Sequence, residues 1–479
     1  MGFLDRDREL ADVTAFLDSK RSELVIVYGR RGVGKSALLA EALRNRPHFY
    51  YQATTRTLAL QLEDLTAALV SFAPELVVPG VLPSLEAALD ALARVAASRP
   101  NDTVVAVIDE LPYLAEADPA IPSVLQRWWD QLKQRAVSNL KLFLLGSLVS
   151  WMEEHTLSER GPLHNRRTGQ LRVDPLQYRE AALFYPHWES EDKVAAYAVW
   201  GGMPSYLETI DPARGLWDNV RESILRRGAR LAEEPAWLRF ADLRSDALYS
   251  SVLRAIALGH HRPGRIARAV GRERAADVMF ALERLCELQL VERVVPVHEV
   301  HRTASRQALY VLADHYVAFW YRFVDRLRHL LGMGRYGEAL DRIREQFEMY
   351  ISGRPFETAC RQFLWAALAD GRLPRGLTFD IVGSWWVAKE DIQDEIDVVA
   401  LDAGRAVLVG ECKWSRQPMG RRDLEGLEAA LRRAANDLRP IARPWKVLCS
   451  RSGFTDDLRA LAADPEERVL LLTPDDLYW

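Results

Sequence analysis

Between residues 23 and about 146, short β-rich apolar runs alternate with Ala/Leu-rich stretches of helical spacing. The runs are ELVIVYG, HFYYQ, TVVAVID and LKLFLLG, and their alternation with helices predicts a parallel α/β sheet. After Pro175 the strand signal stops. Residues 178 to about 239 show helical spacing broken at Gly201-Gly202-Met203-Pro204 and at Pro235, which predicts a helical lid or linker. From 245 to 313 two helical stretches flank the break HHRPG, a third runs from 274 to 290, and the β-rich runs LVERVVPV and ALYVLA follow. Three helices and a hairpin predict a winged helix. Residues 319 to about 346 read as a connecting helix. A helix over 356–369 then precedes β-like runs near 378, 396, 407 and 447, in the order α, β, β, β, α, β.

The length of 479 residues suggests about three domains at roughly 150 residues each. With 49% hydrophobic and 27% charged residues the chain is globular, and composition leaves no room for a long disordered tail. Net charge is −4, so any grip on nucleic acid must come from a local patch. Cys286, Cys360, Cys412 and Cys449 are far apart, without zinc-ligand spacing, and read as reduced thiols. No run reaches the ~18 apolar residues of a membrane span, and the first ten residues are too charged for a signal peptide. The expected setting is the cytoplasm, away from membranes.

The strongest motif is GRRGVGKS, with Gly29, Arg30, Arg31, Gly32, Val33, Gly34, Lys35 and Ser36, between the strand ELVIVY and the helix that begins near Ala37. Glycines let the backbone wrap phosphates, and the helix N-terminus meets their charge. Lys35 is expected to reach the β- and γ-phosphates, and Ser36 to hold magnesium. TVVAVIDEL adds two acids at a strand end: Asp109 for the magnesium shell and Glu110 to polarise water. Ser147, ending LKLFLLGS, is a candidate sensor of the γ-phosphate.

Taken in order, FLDRDREL, GRRGVGKS, VIDEL, GSLVSWME, GPLHNRRTG and GGMPSYL resemble the archaeal-ATPase family of P-loop proteins, relatives of the AAA+ and STAND ATPases. The resemblance covers roughly the first 230 residues. It implies ATP as the nucleotide, with the region of Phe3 and Arg6 near the adenine. It also implies that Arg166 or Arg167 neutralises charge developing on the γ-phosphate, and that Pro204 of the lid lies near the base. Asn165 stands where the family usually has Gly.

A second chemical site is expected in EIDVVALD followed by AVLVGECKW. Strand alternation puts Glu411 and Lys413 on one face of a strand, facing Asp397 on its neighbour. Asp397 and Glu411 would bind magnesium, Lys413 would orient the attacking water or stabilise charge, and Glu357 offers a further acid from the preceding helix. With the strand order, these residues resemble the PD-(D/E)xK nuclease fold, a restriction-endonuclease-like α/β domain. The expected layout is therefore a P-loop ATPase domain (1–174), a helical lid (175–240), a winged helix with connector (241–330) and a nuclease-like domain (331–479).

Between the two sites, residues 245–313 carry ten arginines against seven acids. Arg262, Arg265, Arg268, Arg272 and Arg274 are placed to meet DNA phosphates. Asp277, Glu283 and Glu287 on the third helix argue against strong base readout. The run Tyr316, Phe319, Trp320, Tyr321, Phe323 and the tryptophans Trp385, Trp386 and Trp414 read as core, with Trp414 also a candidate to stack on a base. The function expected is an ATP-hydrolysing protein whose nucleotide state controls a magnesium-dependent nuclease on DNA. The competing expectation is a nucleotide-switched regulator or scaffold that binds DNA or a partner protein and cuts nothing. An arginine acting on a neighbouring copy's nucleotide would require a homo-oligomer.

Overall fold

The computed structural model describes residues 3–76, 80–135, 137–159, 161–232, 247–302, 304–388 and 392–479. The chain divides into two compact units, Met1–Pro175 and Leu176–Trp479. The expected end of the lid, Pro235 included, and the expected start of the three-helix module fall in 233–246, outside the described residues.

The first unit is built on a five-stranded sheet in the order β2-β3-β4-β1-β5. The strands are β1 (Glu23–Tyr28), β2 (His48–Gln52), β3 (Val104–Asp109), β4 (Leu140–Gly146) and β5 (Gly169–Arg172), all parallel. Every residue of β1, β3 and β4 is buried, which is why these strands are unbroken apolar runs. Register pairs Tyr28 with Gly146 and Gln52 with Asp109, so the chain leaves β1, β2, β3 and β4 at one common edge. That edge is where a parallel α/β sheet binds ligands. β5 was not foreseen: GQLR is four residues long, with only one of them buried. At Gly29 a Cβ would lie 2.2 Å from the Val173 carbonyl oxygen, so no larger residue fits between β1 and the segment after β5.

In the second unit, helices Tyr178–Ala181, Ser190–Trp200, Pro204–Leu207 and Leu216–Val220 form the expected helical region. The GGMP break is a close approach: a Cβ on Gly202 would fall 1.7 Å from the Leu176 oxygen, and Leu176 N–H donates to the Gly202 carbonyl. Next come helices Ala247–Ala257, Pro263–Ala269 and Ala276–Glu287 and an antiparallel hairpin of β6 (Val291–Val294) and β7 (Leu309–Leu312). Tyr310 N–H donates to the His261 carbonyl and ties the hairpin to the helices. The aromatic run is buried, as core. The connector is not one helix. It passes from His315–Phe319 through a π turn and a 3-10 turn to Arg328–Gly332, breaks at Met333-Gly334, where Gly334 is left-handed, and resumes over Tyr336–Ile351.

The C-terminal sheet has the order β12-β11-β10-β9-β8. Its strands are β8 (Ile381–Ala388), β9 (Ile392–Asp402), β10 (Arg405–Lys413), β11 (Trp445–Ser450) and β12 (Val469–Leu472). β8, β9 and β10 form an antiparallel meander, and β10, β11 and β12 run parallel. The first run begins at Ile381 and not near 378, and VLLL of β12 is an additional edge strand. Helix Arg354–Ala369 packs on β8, β9 and β10, and helix Arg421–Arg433 packs on β9 and β10. Among the described residues no helix is long and apolar enough to cross a membrane.

Candidate functional site

The first site grows from the strand edge of the N-terminal unit. Gly32 and Gly34 take left-handed φ of 82° and 98°, which lets the loop turn back before the helix Lys35–Ala42 begins. Val33 and Arg30 are buried beneath the loop, whereas Arg31, Gly32, Ser36 and Ala37 are exposed on it. Lys35 is buried, and its Nζ donates to the carbonyls of Gly29 (2.8 Å) and Arg30 (3.2 Å). Burial lowers its pKa, against the pull of Glu110 and Asp109.

Asp109, 1% exposed at the end of β3, gathers three donors. Ser36 Oγ donates to Oδ2 at 2.7 Å, Tyr50 OH donates to the same oxygen at 2.5 Å, and Glu110 N–H donates to Oδ1 at 2.8 Å. Glu110 has a left-handed φ of 56°, strained for a residue with a side chain. Its carboxylate accepts from Ser147 Oγ (2.8 Å) and N–H (3.2 Å). The expected residues Lys35, Ser36, Asp109, Glu110 and Ser147 thus converge. Tyr50 is one that sequence reasoning missed; its sign was a polar-tipped residue in the middle of a strand that pairs with β3. A hydroxyl and a carboxylate 2.7 Å apart are hard oxygen donors of the kind magnesium takes.

Arg6 is buried and left-handed (φ 72°), and its Nη2 donates to the carbonyls of Val33 (2.7 Å) and Asp174 (2.9 Å), clamping the N-terminal segment to the loop. Arg166 and Arg167 are held by their own neighbours. Arg166 forks onto Asp130 (3.0–3.2 Å), and Arg167 donates to the His164 carbonyl (2.6 Å) and Gln170 (2.9 Å). Pro204 belongs to the second unit and occupies the first turn of the helix Pro204–Leu207.

The second site forms where β9 leaves its neighbours. Gly383 pairs with Val399 but Trp385 with Ile396, so β9 carries one extra residue, a bulge at Asp397-Val398. On its other side the pairing with β10 ends at Gly410–Val398. A bulge re-aims the side chain it carries. Asp397 Oδ2 accepts from Cys412 N–H at 2.9 Å, and Arg361 Nη1 spans from Glu357 (3.2 Å) to the Asp397 carbonyl (2.8 Å).

Glu411 and Lys413 share one face of β10 and line a cleft of ≈ 350 Å³ with Asp394, Glu395, Asp423 and Arg433. Burial, with Glu357 and Glu411 adding their charge, lifts the Asp397 carboxyl well above the carboxylate range. Glu411 is pushed up to about 7, again first by burial, although Lys413 pulls it down. Buried acids that repel one another in this way are a donor set a divalent cation would relieve. Lys413 forms an ion pair with Asp423, a partner sequence reasoning missed, as it missed Glu395. Trp414 is not available to a base. It is 5% exposed, edge-on to Phe356, with the Arg451 guanidinium over its ring.

In the three-helix module Arg268, Arg272 and Arg274 are exposed, and Arg262 and Arg265 are half-buried. The exposed positions of the third helix include Phe280 (76% exposed), Glu283 and Glu287.

Two families match the sequence. One, described as "ATPase domain predominantly from Archaea", matches residues 3–210. The other, described as "Archaea bacterial proteins of unknown function", matches residues 320–426, which include Glu357, Asp397, Glu411, Lys413 and Asp423. A relative from Methanocaldococcus jannaschii, "Uncharacterized protein MJECL04", is 30% identical over 417 residues, 86% of this chain and 87% of the relative. Among solved structures, a Walker-type ATPase of Pyrococcus abyssi is 19% identical, with a TM-score of 0.49 over 67% of this chain and 96% of its own. The Aeropyrum pernix ORC2 protein, in ADPNP and ADP complexes, is 14% identical, with a TM-score of 0.41 over 70% of this chain and 96% of its own.

Proposed function

Since the chain belongs to the family of the M. jannaschii protein and carries an ATPase domain of the archaeal type, we propose that it hydrolyses ATP with magnesium and that its nucleotide state controls a magnesium-dependent nuclease acting on DNA. In the ATPase half, the loop amides and Lys35 bind the phosphates, and Ser36 and Asp109 hold the metal. Glu110 orients water, and Ser147, hydrogen-bonded to Glu110, couples that carboxylate to the γ-phosphate position. Magnesium supplies charge neutralisation on the phosphates. Arg166 or Arg167 serves as the charge-neutralising arginine after leaving its present partners, in a neighbouring copy or in this one.

The observation that carries the nuclease half is the acid pair Asp397 and Glu411, both raised by burial, with Glu411 beside Lys413 in a polar cleft and Asp397 held by the Cys412 N–H between those two residues. These residues, with Glu357, fit a magnesium site. Lys413 then orients the attacking water once it exchanges Asp423 for it. The middle module acts as a winged helix whose exposed arginines meet the DNA backbone; the acids on its third helix favour backbone contact over base reading. The test is cleavage of labelled single- and double-stranded DNA with magnesium or manganese, with and without ATP, for the wild type and Asp397→Ala. Cleavage confined to the wild type supports the reading, and its ATP dependence measures the control.

The ion pair between Lys413 and Asp423 favours a second reading, in which the fold is retained for binding and the chain is a nucleotide-switched scaffold. No cleavage on any substrate, with ATP hydrolysis intact, would select it.

A further inference from the structure

Three of the four cysteines, remote in sequence, meet in the folded chain. The Sγ atoms of Cys360, Cys412 and Cys449 all lie within 4.8 Å of one another, and the residues are 1%, 5% and 2% exposed. Strand register brings two of them together: Cys412 and Cys449 are direct partners on the parallel strands β10 and β11. The third comes from the helix Arg354–Ala369, packed on β10. Alternation sends Cys412 to the face opposite Glu411 and Lys413, so the sulfurs and the carboxylate cleft are separated by the sheet.

The spacing suits a metal ion. Metal–sulfur bonds of about 2.3 Å put three sulfurs about 4 Å apart in a trigonal plane, so the cluster needs to contract by less than about 1 Å. No imidazole or carboxylate joins the group among the described residues. An all-sulfur set selects soft ions and rejects magnesium and calcium.

We propose that Cys360, Cys412 and Cys449 bind one soft d10 metal ion, zinc or copper(I), as thiolates, at a site distinct from the carboxylate cleft. Binding displaces the protons the thiols carry and exchanges them for metal–sulfur bonds, with no change of oxidation state. The ion fastens the helix Arg354–Ala369 to β10 and β11. That helix carries Glu357 and Arg361, and Cys412 N–H holds Asp397, so the cysteines are positioning residues for the acids.

The test uses the full chain, reduced and stripped with chelator, titrated with cadmium in excess magnesium, which occupies hard oxygen sites. The expected result is one equivalent of thiolate-to-cadmium charge transfer. Cys412→Ala and Cys449→Ala should weaken binding by more than the 10- to 100-fold typical of losing an outer partner, roughly 100-fold or more. Cys286→Ala and Asp397→Asn should leave it unchanged. Absence of stoichiometric binding, or equal weakening by Asp397→Asn, overturns the proposal. X-ray absorption of the zinc-loaded wild type needs no variant: three sulfurs at about 2.3 Å support the site, and an oxygen and nitrogen shell overturns it. Parallel anaerobic titration with copper(I) tells the two ions apart. All of these readouts are independent of DNA cleavage, so they stand or fall separately from the nuclease reading.

Discussion

Asp109 in the N-terminal unit and Asp397 in the C-terminal sheet are both acids on sheet strands, and their surroundings differ. Asp109 receives two hydroxyls and an amide, so its charge is met by the fold itself. Asp397 receives one amide and lies among Glu357, Glu411 and Glu395, so its charge is opposed. The first site is organised before any ligand arrives. The second holds repulsion that Lys413 and the Cys412 amide relieve only in part, leaving the rest to protons or a bound cation. Ligand binding should therefore act mainly on chemistry at the first site, and on both chemistry and stability at the second.

The largest effect should come from Lys35→Ala. Removing the phosphate-binding cation is expected to lower ATP turnover at least about 10²-fold, measured as phosphate release at saturating ATP. Next, Asp397→Asn should abolish metal-dependent DNA cleavage and leave ATP hydrolysis within about twofold, because Asp397 belongs to the second unit and the phosphate site is built from residues of the first. Loss of both activities from that change, with the fold verified, would show that the two sites do not act independently. A structural change follows in size. Gly202→Ala puts a Cβ 1.7 Å from the Leu176 oxygen and should cost roughly 1–3 kcal/mol or more of stability in the second unit, read by thermal or urea unfolding.

Much of the first site is legible in sequence because it is contiguous. GRRGVGKS, VIDEL and the Ser147 strand end each carry their own context, and the sheet edge only has to align them. The second site is legible in residue type and not in geometry. The bulge at Asp397 and the pairing of Lys413 with Asp423 depend on strand register and on helix placement, and neither leaves a local pattern. The same holds for the cysteines, whose meeting rests on Cys412 facing Cys449 across β10 and β11. β5 and β12 escaped notice as four-residue strands, too short for a period to register. The broken connector was hidden by an aromatic run whose helical spacing continues through the π turn.

The opposed charges at the second site predict a pH effect with a definite sign. Glu411 has its pKa pushed up from 4.5 to about 7, so between those values the folded state binds more protons than the unfolded. Stability of the metal-free chain should then fall as pH rises from about 4.5 through 7. Magnesium should restore stability above pH 7, and Glu411→Gln should flatten the pH dependence. A stability that rises across that window would show that the cluster is relieved by some other charge.

The smallest effect is expected at Asp109, the acid whose hydrogen bonds are already made. Tyr50 has its pKa raised by burial and by its hydrogen bond to Asp109, so its hydroxyl stays a donor at all working pH values. Tyr50→Phe removes one of three donors and leaves Ser36 and the Glu110 amide in place. A hydrogen bond to a charged group is worth about 1.5–3 kcal/mol, but solvent reaches Tyr50, which is 38% exposed, and replaces part of it. Turnover should therefore drop less than about tenfold, with the magnesium dependence shifted more than the KM for ATP. If Tyr50→Phe proves as damaging as Asp109→Asn, Asp109 depends on that hydroxyl alone, and the redundancy that distinguishes this site from the carboxylate cleft does not exist.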